Sequence, residues 1–432
     1  MLAVPMVMEM AMESIFAVAD VFWVAHLGAD AVATVGLTES MMTIIYTAAM
    51  GLSIGATALV ARRTGEHDPD GAARAAGQSI LLGLAVAAAI ALLAAPFAPS
   101  LLRIMGATEE VVRTGSGFTR LMLAGNATVL LLFLQNAVFR GAGDAAIAMR
   151  VLILGNLLNI VLGPCFIFGI GPFPRLGVTG AAVATNVGRG AAVVYQFWML
   201  TRGTGRVRIA RRHLGLDLPM MRSVLALSGS GTFQILIGSA SYIGLVRILS
   251  TFGSAALAGY TIGIRVIIFA LLPAFGISNA AATMVGQNLG AKRPDRAEAA
   301  VWTAARYSMV FLGCVGLLFL IGAPQIARLF ADDAEVQQFA VSCLRTVSLG
   351  FLFYAAGMVL TAAFNGAGDT WTPTLINLGV FWLFEIPLAW WLATQTPLGP
   401  RGVFWALTIA YSALAVVSAV LFRRGKWKGR VI

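Results

Sequence analysis

Hydrophobic and polar positions alternate along this chain in long blocks. Twelve predominantly apolar runs are separated by short polar segments, at roughly 1–26, 32–61, 75–101, 112–138, 146–170, 176–201, 219–250, 255–288, 299–323, 336–364, 371–396 and 401–422. At about 1.5 Å per residue, each run covers the roughly 30 Å hydrocarbon layer of a bilayer as a helix. Several runs exceed the minimum length, which predicts tilt or extension beyond the lipid. Short alternating segments of the kind a β-barrel needs are not the pattern here. The expected fold is an all-α polytopic membrane protein.

The first run, MLAVPMVMEMAMESIFAVADVFWVAHL, breaks the apolar rule on one side only. At about 100° per residue, Glu13 lies roughly 40° around the helix from Glu9 and Asp20 roughly 20° from it, so the three acids share one narrow face. A charge at mid-bilayer costs about 2.5–3.5 kcal/mol on insertion scales. This face must therefore meet water, a partner, a proton or a cation. An acid permanently paired inside the bundle is the competing expectation, for Glu9 and Glu13 above all.

Composition and charge narrow the class. The chain is 59% hydrophobic and 11% charged, against about 25% charged in soluble domains. Its net charge of +11 does not imply nucleic acid, because the basic residues cluster in every second loop. They follow the second run (Arg62, Arg63, Arg74), the fourth (Arg140, Arg150), the sixth (Arg202 to Arg222), the eighth (Lys292, Arg293, Arg296) and the last (Arg423 to Arg430). The positive-inside rule then puts both termini and the basic linker 202–218 in the cytoplasm. The linker is also a candidate contact for anionic lipid. Cys165, Cys314 and Cys343 fall in apolar runs with no disulfide or zinc spacing, and His26, His67 and His213 are too scattered for a metal cluster. Residues 1–27 lack a basic n-region and a small-residue cleavage motif, so no cleaved leader is expected.

The chain repeats itself. Under a shift of 225, Gly28, Gly51, Gly65, Pro69, Asp70 and Arg103 match Gly253, Gly276, Gly290, Pro294, Asp295 and Arg328, and Phe139, Gly141, Ala142, Gly143 and Asp144 match Phe364, Gly366, Ala367, Gly368 and Asp369. Further on the shift becomes 222, so that Leu176, Gly177, Gly180 and Ala184 match Leu398, Gly399, Gly402 and Ala406. Six runs per half is an even number, so the halves share one orientation. The expectation is two parallel six-helix repeats, an N-lobe at 1–201 and a C-lobe at 219–432 joined by the linker 202–218. Transporters use such repeats around a central site.

The chemistry on offer is sparse and asymmetric. Glu9, Glu13, Asp20 and Glu39 lie in the first half; Arg247, Arg265 and the deep acid Glu385 lie in the second. Desolvation favours the protonated carboxyl, so an acid in a membrane cavity can load a proton on one side and release it on the other. It can also neutralise a cationic substrate, and competition between these uses is a basis for antiport. Asn136, Asn156, Asn159 and Thr185 can hold a carboxylate or complete an oxygen-rich cation site; helix-to-helix hydrogen bonding is the competing role. The methionines Met6 to Met12, Met41 and Met42 suit adaptable apolar binding or ordinary packing. No Walker A pattern or catalytic constellation is found, and no cofactor is expected. Arg265 occupies the counterpart of Ser40, next to Glu39, which makes Glu39 and Arg265 a candidate gate pair; pairing of each within its own lobe is the alternative.

These residues reach a known family. "VADVFWVAHLG" with Pro5 and Asp20, "GATALVARRTGE" at 55–66, "FRGAGDAAIAMR" at 139–150, "NLLNIVLGPCFIFGIGPFPRLGVTGAAVAT" at 156–185, "AGYTIGIRV" and "VGQNLGAKRPDRA" occur in order. Through them the chain resembles the multidrug and toxic compound extrusion (MATE) transporters of the prokaryotic branch, over nearly its whole length. The resemblance implies 12 transmembrane helices in two six-helix lobes around a central cavity. It implies export of organic cations in exchange for H⁺ or Na⁺ by rocking of the lobes. The first-helix aspartate of the family falls on Asp20, its first-lobe asparagines on Asn136 and Asn159, a threonine on Thr185, and a cavity-lining polar residue on Glu13. Glu9 and Glu39 join Glu13 as expected substrate-cavity residues.

One departure matters. Where that branch usually reads Leu-Asp-Pro, this chain reads Leu162, Gly163, Pro164. A Na⁺ site on Asp20, Asn159 and Thr185 would lack one hard oxygen ligand, so the expectation leans to H⁺ with Asp20 as carrier and Na⁺ as the alternative. A lipid-linked oligosaccharide flippase of the same superfamily and a non-transporting membrane receptor are the rival readings. Small-molecule organic cations and the lipid bilayer are the expected partners. The expected setting is a monomer in a cell's inner membrane.

Overall fold

A computed structural model describes residues 3–202 and 205–432; the side chains of residues 13–21 lie outside that description. Among the described residues every regular element is a helix. The chain divides into two compact units, Met1–Ser228 and Gly229–Ile432.

In the first unit, α1 (Ala3–Ala25) and α2 (Ala29–Gly65) are followed by α3 (Pro69–Ala94), which passes through a 3₁₀ turn at Ala95–Phe97 into α4 (Ala98–Ile104). Then come α5 (Glu109–Ala124), α6 (Asn126–Ala142), α7 (Ala145–Phe168) and α8 (Val178–Arg202). The second unit takes up α9 (Leu218–Leu249), which begins before the boundary, then α10 (Ser254–Gly290), α11 (Pro294–Arg328), α12 (Ala334–Ser348) and α13 (Phe351–Gly366). It ends with α14 (Trp371–Asn377), a π-helical turn at Leu378–Glu385, α15 (Ile386–Thr394) and α16 (Arg401–Arg423).

Taken with α3–α4, α5–α6, α12–α13 and α14–α15 as single broken or bent spans, these are twelve spans in the places the apolar runs predict. Among the described residues, nine are long and apolar enough to cross a membrane, and α12–α13, bent by 58°, is a tenth. The two others are α1, described as an apolar stretch at Ala3–Met12, and α8, whose 25 residues include Thr185, Asn186, Arg189 and Gln196. The chain is a polytopic helical membrane protein.

The repeat is written into the backbone. Gly28 and Gly253 both have φ 100 and start α2 and α10; His67 and Lys292 both have φ 57; Gly143 and Gly368 have φ 88 and 82. Each pair is separated by the same 225 residues, and a shared left-handed φ at the non-glycine pair His67 and Lys292 is uncommon enough to mark a conserved turn geometry. The break between α5 and α6 falls at Gly125, and that between α12 and α13 falls at Leu349 and Gly350, again at the same offset. The halves part company at two places. Pro96 sits in the 3₁₀ turn that interrupts the third span, whereas α11 runs unbroken. Among the described residues the π-helical turn belongs to the second unit alone.

Within each unit equivalent helices approach through small residues. α2 packs on α6, and α10 on α13. At Gly366 an added Cβ would lie 2.1 Å from the carbonyl oxygen of Ala282, and at the equivalent Gly141 it would lie 3.0 Å from that of Thr57. Glycine is required there because backbone approaches backbone, as in other membrane helix pairs.

The segments that follow the sixth and twelfth spans fold back onto their units. Arg206 donates its backbone N–H to Asp144 at 2.7 Å, and the Arg430 guanidinium donates to Asp369 at 3.1 Å. Arg212 donates to Asp70 at 2.7 Å, and Lys428 pairs with Glu298 at 2.7 Å and Asp295 at 3.3 Å. Asp144 and Asp369, like Asp70 and Asp295, are repeat counterparts, so both units clasp their trailing segment with the same two acids. The bonds to Glu298 and Asp295 hold the Lys428 ammonium above its usual range. Exposed ion pairs are worth only about 0–1 kcal/mol each; burial anchors the clasps more firmly. Trp427 is fully buried against Phe422 with ring centroids 4.6 Å apart. In the first unit, Gln78 Nε2 donates to the carbonyls of Gly215 at 2.7 Å and His213 at 3.2 Å. His213 is itself buried.

Gly366→Ala is expected to destabilise the protein by about 1–3 kcal/mol, because backbone must move to admit the methyl group. Gly229→Ala, with no atom within 4 Å of the new Cβ, should be neutral or stabilising through helix propensity. Thermal unfolding of both variants in detergent measures the contrast.

Candidate functional site

The first unit carries a seam of buried polar side chains where α1, α6, α7 and α8 come together. α1 packs along α7 and touches α8, and α7 and α8 lie against each other. Spacing explains the seam. On α8, Thr185 and Gln196 are eleven residues apart, roughly three turns, so they share a face. On α6, Asn136 and Arg140 are four apart and do the same.

The bonds join helices in pairs. Asn159 Nδ2 donates to Thr185 Oγ1 at 2.9 Å, linking α7 to α8, with both residues buried. Gln196 Nε2 donates to Asn136 Oδ1 at 2.6 Å, linking α8 to α6. Asn156 Nδ2 donates to the carbonyl of Met12 at 2.8 Å, fixing α1 against α7 at the edge of its acidic stretch. Arg140 Nη1 donates to Glu9 Oε1 at 2.6 Å; Glu9 is 1% exposed and Arg140 7%.

The structure therefore brings Asn159 and Thr185 together, gives Asn136 a different partner in Gln196, and places Glu9 in a buried ion pair with Arg140. Asp20 and Glu13 belong to α1, and their side chains lie outside the described residues. Glu39, on α2, is half-buried, and Arg265, on α10 of the other unit, is exposed. Three residues of the seam escape the sequence reading. Arg140, expected in a loop as a topology residue, occupies the last turn of α6 and is drawn inward by a carboxylate 131 residues away. Gln196 was signalled only by its register with Thr185. Arg189, also buried on α8, donates to Tyr46 Oη at 3.3 Å and lies 5.8 Å from the centre of the Tyr46 ring.

The arrangement is suited to holding charge. An amide fixed by one hydrogen bond keeps a further donor hydrogen and its carbonyl oxygen available, so Asn159 and Thr185 can receive a carboxyl or offer hard oxygens to a cation. Gly163 offers no oxygen: a Cβ added there would meet the Trp23 indole at 3.5 Å and nothing closer. Among the described residues no three His, Cys, Asp or Glu side chains converge on a metal position.

A family model described as MatE matches residues 5–165 and again residues 232–391, one copy in each half of the repeat. The probable multidrug resistance protein NorM of Thermotoga maritima is 26% identical over 437 residues, covering 100% of this chain and 93% of that protein. An FAD transporter of Shewanella oneidensis is 25% identical over 417 residues, covering 95% of this chain and 90% of that protein. Among solved structures, a crystal structure of MATE in complex with MaL6 matches with a TM-score of 0.92 at 28% identity, covering 99% of this chain and 96% of that one.

Removing one partner of a buried ion pair leaves the other charge uncompensated, at a cost of about 3–5 kcal/mol. Glu9→Gln and Arg140→Gln are each expected to lose stability on that scale, and the double variant much less than the sum of the two. A double-mutant cycle on thermal unfolding checks this, and additive losses would refute the pairing.

Proposed function

Because this chain belongs to the MatE family of membrane transporters, we propose that it is a secondary antiporter exporting organic cations in exchange for protons. Asp20 carries the proton, and Asn159, Thr185 and Asn136 hold its surroundings in register. The observation that carries the reading is the buried Asn159–Thr185 bond on the two helices against which α1 lies. A carboxyl on α1 that loses its proton gains polar partners there, and regains the proton when it is returned to an apolar setting. The acid Glu13 belongs to the cation's path, as does Glu39 on the same reasoning, whereas Glu9 is buried and already neutralised by Arg140. That pairing gives Glu9 a positioning part.

Protons are favoured over Na⁺ by position 163. A sodium site prefers several hard oxygen ligands, and Gly163 supplies none while its neighbour is the Trp23 indole. The membrane placement follows the basic loops: both termini and residues 202–218 lie in the cytoplasm of a cell whose inner membrane holds the protein.

A second reading has one observation in its favour. Arg189, which is buried, and Tyr46, which is half-buried, form a cation–aromatic pair in the first unit, and a relative carries the name FAD transporter. An anionic aromatic substrate would use that arginine, and competition by FAD against a fluorescent organic cation separates the two readings.

Efflux of a fluorescent organic cation from proteoliposomes tests the proposal under an imposed pH gradient or an imposed Na⁺ gradient. The expected result is export driven by pH alone and lost in Asp20→Asn. Gly163→Asp, which restores an oxygen donor where a Cβ fits, is expected to add Na⁺-driven export. Full pH-driven export by Asp20→Asn would overturn the assignment.

A further inference from the structure

The second unit buries a carboxyl that plays no part in the reading above. Glu385 closes the π-helical turn Leu378–Glu385 and is 2% exposed. Ser241, on α9, donates to its Oε2 at 2.8 Å and lies 3.3 Å from the Phe381 carbonyl in the same turn. The other oxygen, Oε1, has no hydrogen-bond partner among the described residues. No Lys, Arg or His among them lies within ion-pair distance of it, in contrast to Glu9.

The surroundings are aromatic and drawn from several helices. Tyr260 of α10, Tyr354 of α13 and Tyr411 of α16 are within electrostatic reach of the carboxyl. Tyr242 of α9 and Cys343 of α12 flank Tyr260. Tyr354 and Tyr411 stack with centroids 3.9 Å apart, and Tyr260 stacks on Phe404 at 6.1 Å and on Tyr242 at 5.9 Å. The Tyr260 hydroxyl, also buried, has no hydrogen-bond partner among the described residues either.

An ionised carboxylate cannot be held in such a place without a compensating cation, because burial of an unpaired charge costs many kcal/mol. One serine hydroxyl does not supply that compensation. A proton does, and it needs no further ligand. The π-helical turn adds the means of release. Such turns are rare, register-shifted and frequent at functional sites, and this one has no counterpart among the described residues of the first unit. Reversion to α-helical register would rotate Glu385 relative to Ser241 and the tyrosines. Ionisable groups buried within membrane spans are functional by default.

We propose that Glu385 is a second proton-binding site, in the second unit, loaded while the π-helical turn packs against Ser241 and unloaded when that turn changes register. The proposal rests on proton coupling of the cycle and not on Asp20.

Difference infrared spectroscopy of the purified protein in lipid nanodiscs, titrated with pH, reads protonated carboxyl groups directly. The expected result is a protonated-carboxyl band at neutral pH that is absent in Glu385→Gln and retained in Asp20→Asn. Ser241→Ala should shift the band without removing it, because the bond to Oε2 is lost. Tyr260→Phe, Tyr354→Phe, Tyr411→Phe and Tyr242→Phe, and Cys343→Ser, should all keep it, which assigns the titration to the carboxyl. In proteoliposomes, Glu385→Gln should lose pH-driven efflux while equilibrium binding of the organic cation is retained. A spectrum unchanged by Glu385→Gln, or undiminished pH-driven efflux in that variant, would overturn the proposal. Loss of Asp20 function has no effect on the infrared arm, so failure of the two ideas is distinguishable.

Discussion

A charge inside a membrane protein must be compensated where it sits, and that constraint organises the rest of this structure. Lipid offers neither water nor counter-ion, so each buried ionisable group is paired, protonated or placed on a face that meets something polar. Glu9 takes the first course with Arg140. That pair fastens α1 to α6, while the Met12 carbonyl fastens α1 to Asn156 on α7. The helix that carries the remaining acids is thus held by polar bonds at its apolar beginning. Glu385 has no such partner among the described residues, and its setting is the opposite case within the same chain.

The two halves share a frame and differ in what they hold in it. Backbone geometry repeats at Gly28 and Gly253, His67 and Lys292, Gly143 and Gly368, and at the helix breaks near Gly125 and Gly350. The clasps that tie down the trailing segments use the same acids in both. The side chains inside have diverged. The counterparts of Glu9 and Arg140 at the 225-residue offset are Gln234 and Asn365, amides in place of an ion pair. The first unit buries an ion pair between α1 and α6; the second buries the carboxyl of Glu385 in a π-helical turn.

The fold was legible because its signals are local and long. Twelve apolar runs, basic residues in alternate loops and turn glycines at a constant offset need no knowledge of tertiary contacts. The candidate site was legible in part. Asn159 and Thr185 are found together, while Asn136 bonds to Gln196, a residue marked only by helical register with Thr185. Arg140 was misread as a loop residue because its position near a span end fits the charge rule for loops equally well. Its inward course depends on Glu9, 131 residues earlier. The π-helical turn and the breaks at Gly125 and Gly350 leave no local mark in so glycine-rich a chain, since they follow from how the helices pack.

In the proposed cycle, cation binding and proton binding compete at a carboxyl on α1. Proton release on addition of an organic cation, measured by calorimetry of the detergent-solubilised protein in buffers of differing ionisation enthalpy, tests it most directly. The expected result is net proton release on binding that falls in Asp20→Asn. Binding with no proton release in the parent protein would contradict it.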